Sequence, residues 1–271
     1  TDMLRMDDNE KSALRRSTLL VQNLSYGYPN AKDKQSQMVL KDLSFSIEPG
    51  EKVGVLGSIG AGKSTLVNCL NHHLSLDPGQ IFWGDKDITQ VSRQDWRSYV
   101  RTITQDPFLF SATISENVKF GAKRKNQDVD ELDVAQVLEL SQLQEDVQRF
   151  GARDQTLVGE KGIMLSGGQK QRLSIARALL TPSDLIIMDN VLSAVDYETE
   201  RTILKGVFNR IQEQSLLVVS HRVSALEYMD KILVLEQGEI IARGTHAELL
   251  ESSSYYRQTW ELQQHESEAS A

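Results

Sequence analysis

The stretch GSIGAGKST, residues 57–65, is the feature that most restricts what this chain can fold into. It fits the pattern G-x-x-x-x-G-K-[ST] and lies between a short apolar stretch, KVGVLG, and a segment expected to be helical from Gly62 through about Asn71. In that context glycines let backbone N–H groups point at phosphate oxygens, and the helix N-terminus adds positive potential. The sequence therefore predicts a phosphate-binding loop made of Gly57, Ser58, Ile59, Gly60, Ala61, Gly62, Lys63, Ser64 and Thr65.

Two side chains of this loop and one distant acid are candidates for binding a metal–nucleotide complex. The motif predicts that Lys63 reaches the β- and γ-phosphates and that the Ser64 hydroxyl binds Mg²⁺. A further Mg²⁺ contact is expected from an acid at the end of a hydrophobic strand, where a carboxylate is held on a rigid, dry edge. Asp189, directly after LIIM, fits that description.

Composition excludes several other classes of protein. The chain has 271 residues, 39% hydrophobic and 25% charged, which is ordinary for a soluble protein with a substantial core. A net charge of −8 without a long basic run argues against nucleic acid as a partner. The single cysteine, Cys69, predicts a reducing compartment and a packing role. Apolar runs such as LIIM and SLLVVS are far shorter than the ~20 residues of a membrane span.

Strand and helix patterns alternate along the chain. Strands are predicted at LLVQNLSYGY, MVLKDLSFSI, KVGVLG, LIIMD and LLVVSH, and a hairpin at KILVLEQGEIIARG turning at Gln237 and Gly238. Helical spacing appears in DVAQVLELSQL and SGGQKQRLSIARALL. We expect an α/β fold with a mainly parallel sheet buried on both faces and a helical subdomain inserted at about residues 107–178. Residues 1–17 are expected to be a linker, 18–260 the folded domain and 261–271 a polar tail.

At LSGGQKQRLSIARALL, residues 165–180, the sequence resembles the ATP-binding cassette (ABC) family, whose signature is LSGGQ. The other motifs occur in the family's order over roughly residues 18–260: Tyr28, the phosphate loop, Gln105 in QDPFLF, the signature, Asp189, SAVD ending at Asp196, and His221 in VSHR. The resemblance implies a P-loop NTPase core of ABC type with an N-terminal antiparallel β subdomain and an inserted α-helical subdomain. It also implies ATP and Mg²⁺ as cofactors and ATPase activity.

The resemblance assigns roles to single positions. Tyr28, directly before Pro29, looks like the ring that stacks on adenine, and Tyr26 is the poorer candidate. Gln105 resembles the glutamine that contacts Mg²⁺ and the attacking water, and His221 the histidine that contacts the γ-phosphate. Ser166, Gly167, Gly168 and Gln169 open a predicted helix, so a hydroxyl and backbone N–H groups are available to a phosphate. In the family each signature closes on the ATP of the other subunit in a head-to-tail dimer, and the loop at Asp196 crosses that interface.

Asn190 departs from the family pattern, because a catalytic glutamate normally follows the strand aspartate. An amide can hold a water by hydrogen bonding but has no basicity near neutral pH. Since general-base catalysis contributes about 10²–10⁴-fold, hydrolysis at this chain's own site is expected to be slow while ATP binding is normal. Two explanations remain open. The chain is one subunit of a heterodimeric exporter, resembling the bacterial multidrug-type half-transporter subunit, or an acid was replaced in the laboratory to trap the ATP-bound dimer.

The sequence thus favours the motor ATPase of a membrane exporter. TLVGEKG, residues 156–162, resembles an exporter segment that touches the transmembrane partner, and a chain that begins at Thr1 within a polar segment fits a domain cut from a half-transporter. The expected partners are a second nucleotide-binding domain, with a heterodimer favoured, and a transmembrane domain. The expected location is the cytoplasmic face of the cell membrane, with the isolated domain soluble. The alternative is a regulatory or non-transport ABC ATPase in which ATP binding acts as a dimerisation latch.

Overall fold

The computed structural model describes residues 17–29, 37–123, 131–160, 162–181, 183–193 and 195–270. The chain divides into two units. The first contains the residues up to Arg101, Ser183–Asp189 and the residues from Glu213 onward. The second contains the residues from Thr102 to 182 and Asn190–Gln212. The predicted linker lies outside the described residues except for Ser17. Each unit is described by itself below.

The first unit begins with an antiparallel sheet. Its strands are β1 (Leu19–Tyr28), β2 (Gln37–Ile47), β4 (Ile81–Trp83) and β5 (Lys86–Asp87), in the order β2-β1-β4-β5. Leu19 pairs with Ile47 on one side and with Trp83 on the other. Alternating burial along β1 and β2 shows that one face of this sheet covers a core. The N-terminal antiparallel subdomain expected from the family resemblance is therefore confirmed.

A larger sheet carries the short apolar strands. They are β3 (Lys52–Leu56), β6 (Val100–Ile103), β9 (Leu185–Asp189), β10 (Ser215–Ser220), β11 (Lys231–Glu236) and β12 (Glu239–Gly244), in the order β12-β11-β3-β10-β9-β6. Strand β3 lies parallel to β10 and β11, β10 is parallel to β9, and β11 and β12 form an antiparallel hairpin. The middle residues of these parallel strands are buried without alternation, so both faces are covered, as the continuous apolar runs predict.

One hydrophobic cluster joins the two sheets around helix α1 (Lys63–Leu70) and helix α2 (Arg93–Tyr99). It takes every second residue of the parallel strands, including Val53 and Val55 of β3 and Leu217 and Val219 of β10. Trp96 of α2 is 1% exposed, and its indole N–H donates to the Leu70 carbonyl at 2.7 Å. This bond fixes the C-terminal end of the helix that follows the phosphate loop.

The chain ends in two helices, α8 (His246–Ser252) and α9 (Ser254–Ser270). Thr245 and Glu248 form a capping box that starts α8. The segment predicted as a polar tail, 261–271, is helical through Ser270, because α9 is fixed at its start by Tyr256, whose side chain is fully buried. None of the helices among the described residues is both long and apolar enough to cross a bilayer.

The second unit contains helices α3 (Ile114–Lys123), α4 (Glu131–Leu140), α5 (Gln144–Arg149), α6 (Gly167–Leu180) and α7 (Tyr197–Arg210), with a small antiparallel pair of β7 (Ala112–Thr113) and β8 (Leu157–Val158). Helix α6 contacts α3 and α4. Asn117 of α3 is fully buried and accepts a hydrogen bond from Arg177 of α6 at 2.9 Å. Arg177 also donates to the Phe108 carbonyl, so the guanidinium ties α6 to the segment before α3.

Stability of this fold should fall on mild acidification, and His72 contributes to that loss. Its ring is buried, and burial, Arg93 and Arg97 hold its pKa below the usual value, with Asp87 opposing them. The unfolded chain then binds a proton near pH 6.5 that the folded chain resists, so stability is lost as the pH falls through that value. His72→Asn, which suits the positive φ of 53° there, should make unfolding by urea less sensitive to pH between about 7.5 and 5.5.

The exposed His265→Asn serves as the control for this change. Equal losses of unfolding free energy in wild type and His72→Asn over the same pH range would contradict the assignment to His72.

Candidate nucleotide site

The carboxyl ends of parallel strands meet at one edge of a sheet, and in this chain three predicted site segments start there. The phosphate loop follows β3, Asp189 ends β9, and His221 follows β10. Leu56 pairs with Ser220 and Val219 with Asp189, so the three segments leave the sheet at the same level. Ligands of open α/β sheets bind beyond this edge.

The phosphate loop folds around the Lys63 side chain. The Lys63 ammonium is buried and donates to the carbonyls of Gly57 at 2.6 Å and Ser58 at 2.8 Å. Burial lowers the pKa of Lys63, while the neighbouring charge of Asp189 raises it. A cation held this way, at the start of helix α1, is suited to an anionic ligand. At the tip of the loop Ile59 is 98% exposed.

Backbone from the β11–β12 hairpin supports the loop. Gly238 N–H donates to the Ala61 carbonyl at 3.1 Å, and the Gly238 carbonyl accepts from Lys41 N–H at 2.9 Å. A Cβ at Gly238 would lie 2.1 Å from the Val39 carbonyl oxygen, and a Cβ at Gly57 would lie 2.5 Å from that of Leu235. The close approach of these backbones therefore requires glycine at both positions.

Asp189 has a carboxylate oxygen, Oδ1, that is buried and makes no hydrogen bond. Burial raises the pKa of Asp189, and the nearby Lys63 charge lowers it. A buried carboxylate oxygen without a donor is what a divalent cation needs, and the Ser64 hydroxyl is a second oxygen ligand of the type Mg²⁺ prefers. Among the described residues there is no cluster of three or more His, Cys, Asp or Glu that could hold a metal. These residues fit a Mg²⁺ bound mainly through nucleotide phosphates and water.

Tyr28 lies beside the phosphate loop. Its hydroxyl is 3.4 Å from Oγ1 of Thr65, and the side chain is 42% exposed. Tyr26 contacts Tyr28 edge to face, with ring centroids 5.2 Å apart, and packs against the hydrophobic core. The structure thus gives Tyr28 an accessible ring near the loop and gives Tyr26 a packing role.

His221 has an exposed side chain at the end of β10. Partial burial, Arg222 and Lys63 together lower its pKa, so the ring is neutral at physiological pH. The backbone on either side is held by Gln263 of α9, which donates to the His221 carbonyl and accepts from the Val223 N–H, both at 2.8 Å.

The signature segment starts helix α6 in the second unit. The Ser166 hydroxyl accepts from Gln169 N–H at 3.2 Å, and the Gln169 side chain accepts from Ser166 N–H at 2.9 Å, which makes a capping box. Gln169 and Arg172 both donate to Asp146 of α5. Gly167 is exposed, and a Cβ there would meet nothing within 4 Å. The helix start is therefore rigid and open to an incoming group.

The remaining predicted residues also lie in the second unit. Gln105 is exposed, and its carbonyl accepts from Gln171 of α6 at 3.2 Å. Asp196 caps helix α7 by accepting from Thr199 N–H at 2.9 Å and from the Thr199 hydroxyl at 2.7 Å, and these bonds lower its pKa. Asn190 has φ of 50°, in the left-handed region that asparagine tolerates better than most residues.

Sequence patterns did not single out several residues that support these segments. Each of three side chains contacts a residue far away in the sequence, so no local pattern marks them. Gln171 contacts Gln105, 66 positions earlier; Arg177 contacts Phe108, 69 earlier; and Gln263 contacts His221, 42 earlier. Gly238 was predicted only as a turn residue, although its two hydrogen bonds place it against the phosphate loop.

The phosphate loop, the strand-end carboxylate and the parallel sheet define a P-loop nucleotide-binding protein. Residues 40–193 match the family model described as ABC transporter, so the chain belongs to the ABC transporter family and its domain binds ATP. The family resemblance in the sequence and the fold class expected from it are both confirmed.

Curated relatives and a solved structure agree with this assignment. The chain is 36% identical over 258 residues to "Multidrug resistance-like ATP-binding protein MdlA" of Escherichia coli, covering 95% of this chain and 42% of that protein. It is 36% identical over 246 residues to "Probable multidrug resistance ABC transporter ATP-binding/permease protein YheI" of Bacillus subtilis, covering 91% and 41%. A bacterial Atm1-family ABC exporter with ATP bound matches with a TM-score of 0.82 and 30% identity, covering 92% of this chain and 42% of that one. The chain thus spans about two fifths of the length of these proteins.

Replacing Gly238 by alanine should weaken both the fold and nucleotide binding. A left-handed φ of +83° and the contact with Val39 force the hairpin to move, which removes the bond to Ala61. We expect a loss of about 1–3 kcal/mol in unfolding free energy and an ATP affinity about 10-fold lower. Urea unfolding and calorimetric titration with ATP measure the two effects.

Gly79→Ala is the matched control, because Gly79 has a similar φ of +90° but no atom within 4 Å of the added Cβ. It should lose stability from backbone strain alone and keep its ATP affinity. Equal ATP affinities in the two variants would show that the hairpin does not support the loop.

Proposed function

We propose that this chain is the ATP-binding and ATP-hydrolysing motor domain of an ABC exporter, in which two such domains close head to tail around two ATP molecules. Hydrolysis at the chain's own site is slow. The observation that carries the proposal is the junction of Asp189 and Asn190: a buried, unpartnered carboxylate oxygen suited to Mg²⁺ is followed by a side chain that cannot accept a proton.

In this proposal each predicted residue has a chemical task. Lys63 and the loop N–H groups neutralise the β- and γ-phosphates, and Tyr28 stacks on the adenine. Asp189, Ser64 and Gln105 would hold Mg²⁺, which neutralises charge as the γ-phosphoryl group is transferred to water. His221, neutral at physiological pH, hydrogen-bonds the γ-phosphate. Asn190 orients a water without deprotonating it, so binding and turnover are separated.

The signature would act on the ATP of a second subunit. Lys63 already occupies the phosphate end of this chain's own loop, whereas the start of helix α6 offers the Ser166 hydroxyl and free space at Gly167. With the intact signature LSGGQ, the chain would complete a competent site in a partner that has its own catalytic acid. This favours a heterodimer over a homodimer, and the region around Asp196 would cross the interface.

An exposed apolar surface of the second unit supports a transmembrane partner. The pair β7–β8 brings together the segments around Phe108 and the predicted exporter segment 156–162. Large apolar side chains in these segments and directly after them are solvent-exposed: Phe108 and Met164 are each 72% exposed, Leu157 is 42% and Ile163 is 39%. Such patches mark interaction sites. Since the relative YheI is named an ATP-binding/permease protein, we assign this surface to a permease domain on the cytoplasmic side of a membrane.

Restoring a carboxylate at position 190 should accelerate hydrolysis. We expect Asn190→Glu to raise ATPase activity of the 271-residue chain by about 10²–10⁴-fold if it forms a homodimer, because a general base is restored. Asn190→Gln is the matched control. Its side chain has the same length as glutamate and the same cost of adopting φ of 50°, but it cannot act as a base. Phosphate release under saturating Mg²⁺–ATP measures the rates.

Equal rates for the Glu and Gln variants would show that Asn190 does not limit turnover, provided that the signature-competent partner subunit has its own catalytic acid replaced by an amide. Activity of Asn190→Glu that stays low until that partner is added supports the heterodimer. ATP-induced dimerisation with no phosphate release in either condition favours the latch hypothesis instead.

The dimer itself can be tested at Gly167. Gly167→Asp should leave the monomer folded, because the position is open and an acid in the first turn suits the helix dipole. The added charge should repel the γ-phosphate of the partner's ATP and reduce ATP-dependent dimerisation by at least about 10-fold. Gly167→Asn, of the same shape and without charge, is the control, and sedimentation with and without ATP is the measurement. Unchanged dimerisation of Gly167→Asp would exclude the head-to-tail arrangement.

A further inference from the structure

The backbone next to His221 is held by one side chain from the last helix. The Gln263 amide nitrogen donates to the His221 carbonyl at 2.8 Å, and its amide oxygen accepts from Val223 N–H at 2.8 Å. A side-chain amide provides a donor and an acceptor side by side without carrying a charge. Gln263 thus bonds to the segment 221–223 as a neighbouring strand would.

The position of Gln263 is set by the anchoring of helix α9. Tyr256, Trp260 and Gln263 have the spacing i, i+4, i+7 and share one face of the helix. The buried Tyr256 hydroxyl lies 2.9 Å from His246 Nδ1, and the Trp260 ring packs edge to face on His246 with centroids 5.0 Å apart. Because α8 carries His246 and Ser253 links the two helices, the face that ends in Gln263 has a fixed orientation.

We infer that Gln263 is a positioning residue for the nucleotide site, acting through His221. It does not touch the nucleotide; it fixes the backbone from which the His221 ring projects beyond the strand edge. The inference rests on the role proposed above for His221 at the γ-phosphate. A ring that is displaced by about 1 Å loses much of its effect on the reaction, although ATP binding through the phosphate loop is unaffected.

If Gln263 positions His221, its replacement should change kcat without changing KM. The parent is the Asn190→Glu chain, assayed with a signature-competent partner subunit if the chain alone is inactive. In it, Gln263→Met preserves the length of the side chain and removes both hydrogen bonds. It should lower kcat about 10-fold and change KM for ATP by less than about 2-fold. Gln263→Glu keeps the acceptor for Val223 and loses the donor to His221, so it should not restore kcat. Leu262→Ala, at a neighbouring position that is 65% exposed, is the control and should match the parent chain.

Hydrogen exchange of the Val223 amide tests the contact without nucleotide. In the otherwise unchanged 271-residue chain, Gln263→Met should speed exchange of this amide about 5-fold, the factor expected from one hydrogen bond, while Leu262→Ala leaves it unchanged. Gln263→Glu should keep most of the protection, since its carboxylate still accepts from Val223.

The two measurements separate the inference from the proposed function. If Gln263→Met leaves Val223 exchange at the wild-type rate, Gln263 does not hold the segment and the inference is wrong. If exchange accelerates but kcat and KM of the Asn190→Glu chain are unchanged, Gln263 is only structural and the positioning role is overturned. If the Asn190→Glu chain shows no turnover even with a signature-competent partner subunit, the proposed effect of Asn190 is wrong, and the exchange rates still decide whether Gln263 fixes residues 221–223.

Discussion

The parallel pairing of β3 with β10 on one side and β11 on the other is the interaction on which the first unit depends. These strands are buried on both faces. A slip of one residue would turn Val53 and Val55 to the opposite face of the sheet, away from the hydrophobic cluster in which they pack. The same register sets Leu56 opposite Ser220, and therefore the phosphate loop level with His221. Hydrophobic burial thus decides where the charged and polar site residues lie.

The site is further supported by segments late in the chain. The β11–β12 hairpin donates from Gly238 to the phosphate loop, and helix α9 places Gln263 against residues 221–223. Both contacts use backbone groups at the ends of the parallel strands, where the sheet no longer supplies hydrogen-bond partners. Elements without any predicted catalytic role therefore complete the hydrogen bonding of those that have one.

Asn190 fits the backbone conformation at its position well. Its φ of 50° suits asparagine, and its carbonyl accepts from the Ser193 hydroxyl at 2.9 Å, which stabilises the turn after β9. A glutamate there would add a base and lose some of this local preference. If the role proposed for position 190 holds, stability and turnover favour different residues there, as is common at functional sites.

The sequence by itself determined the phosphate loop, the apolar strands, the start of α6 at Ser166 and the family, because each depends on local spacing and composition. The turn at Gln237 and Gly238 and the burial of Asp189 at a strand end were also predictable from neighbouring residues. Only the tertiary structure decided that the Tyr28 hydroxyl lies next to Thr65 and that the polar C-terminal segment is a helix anchored at Tyr256. It also decided that Gln263 bonds to His221 and Val223, which lie 42 and 40 positions earlier in the chain. Contacts between distant segments arise from packing of whole elements, which no periodicity within a single segment records.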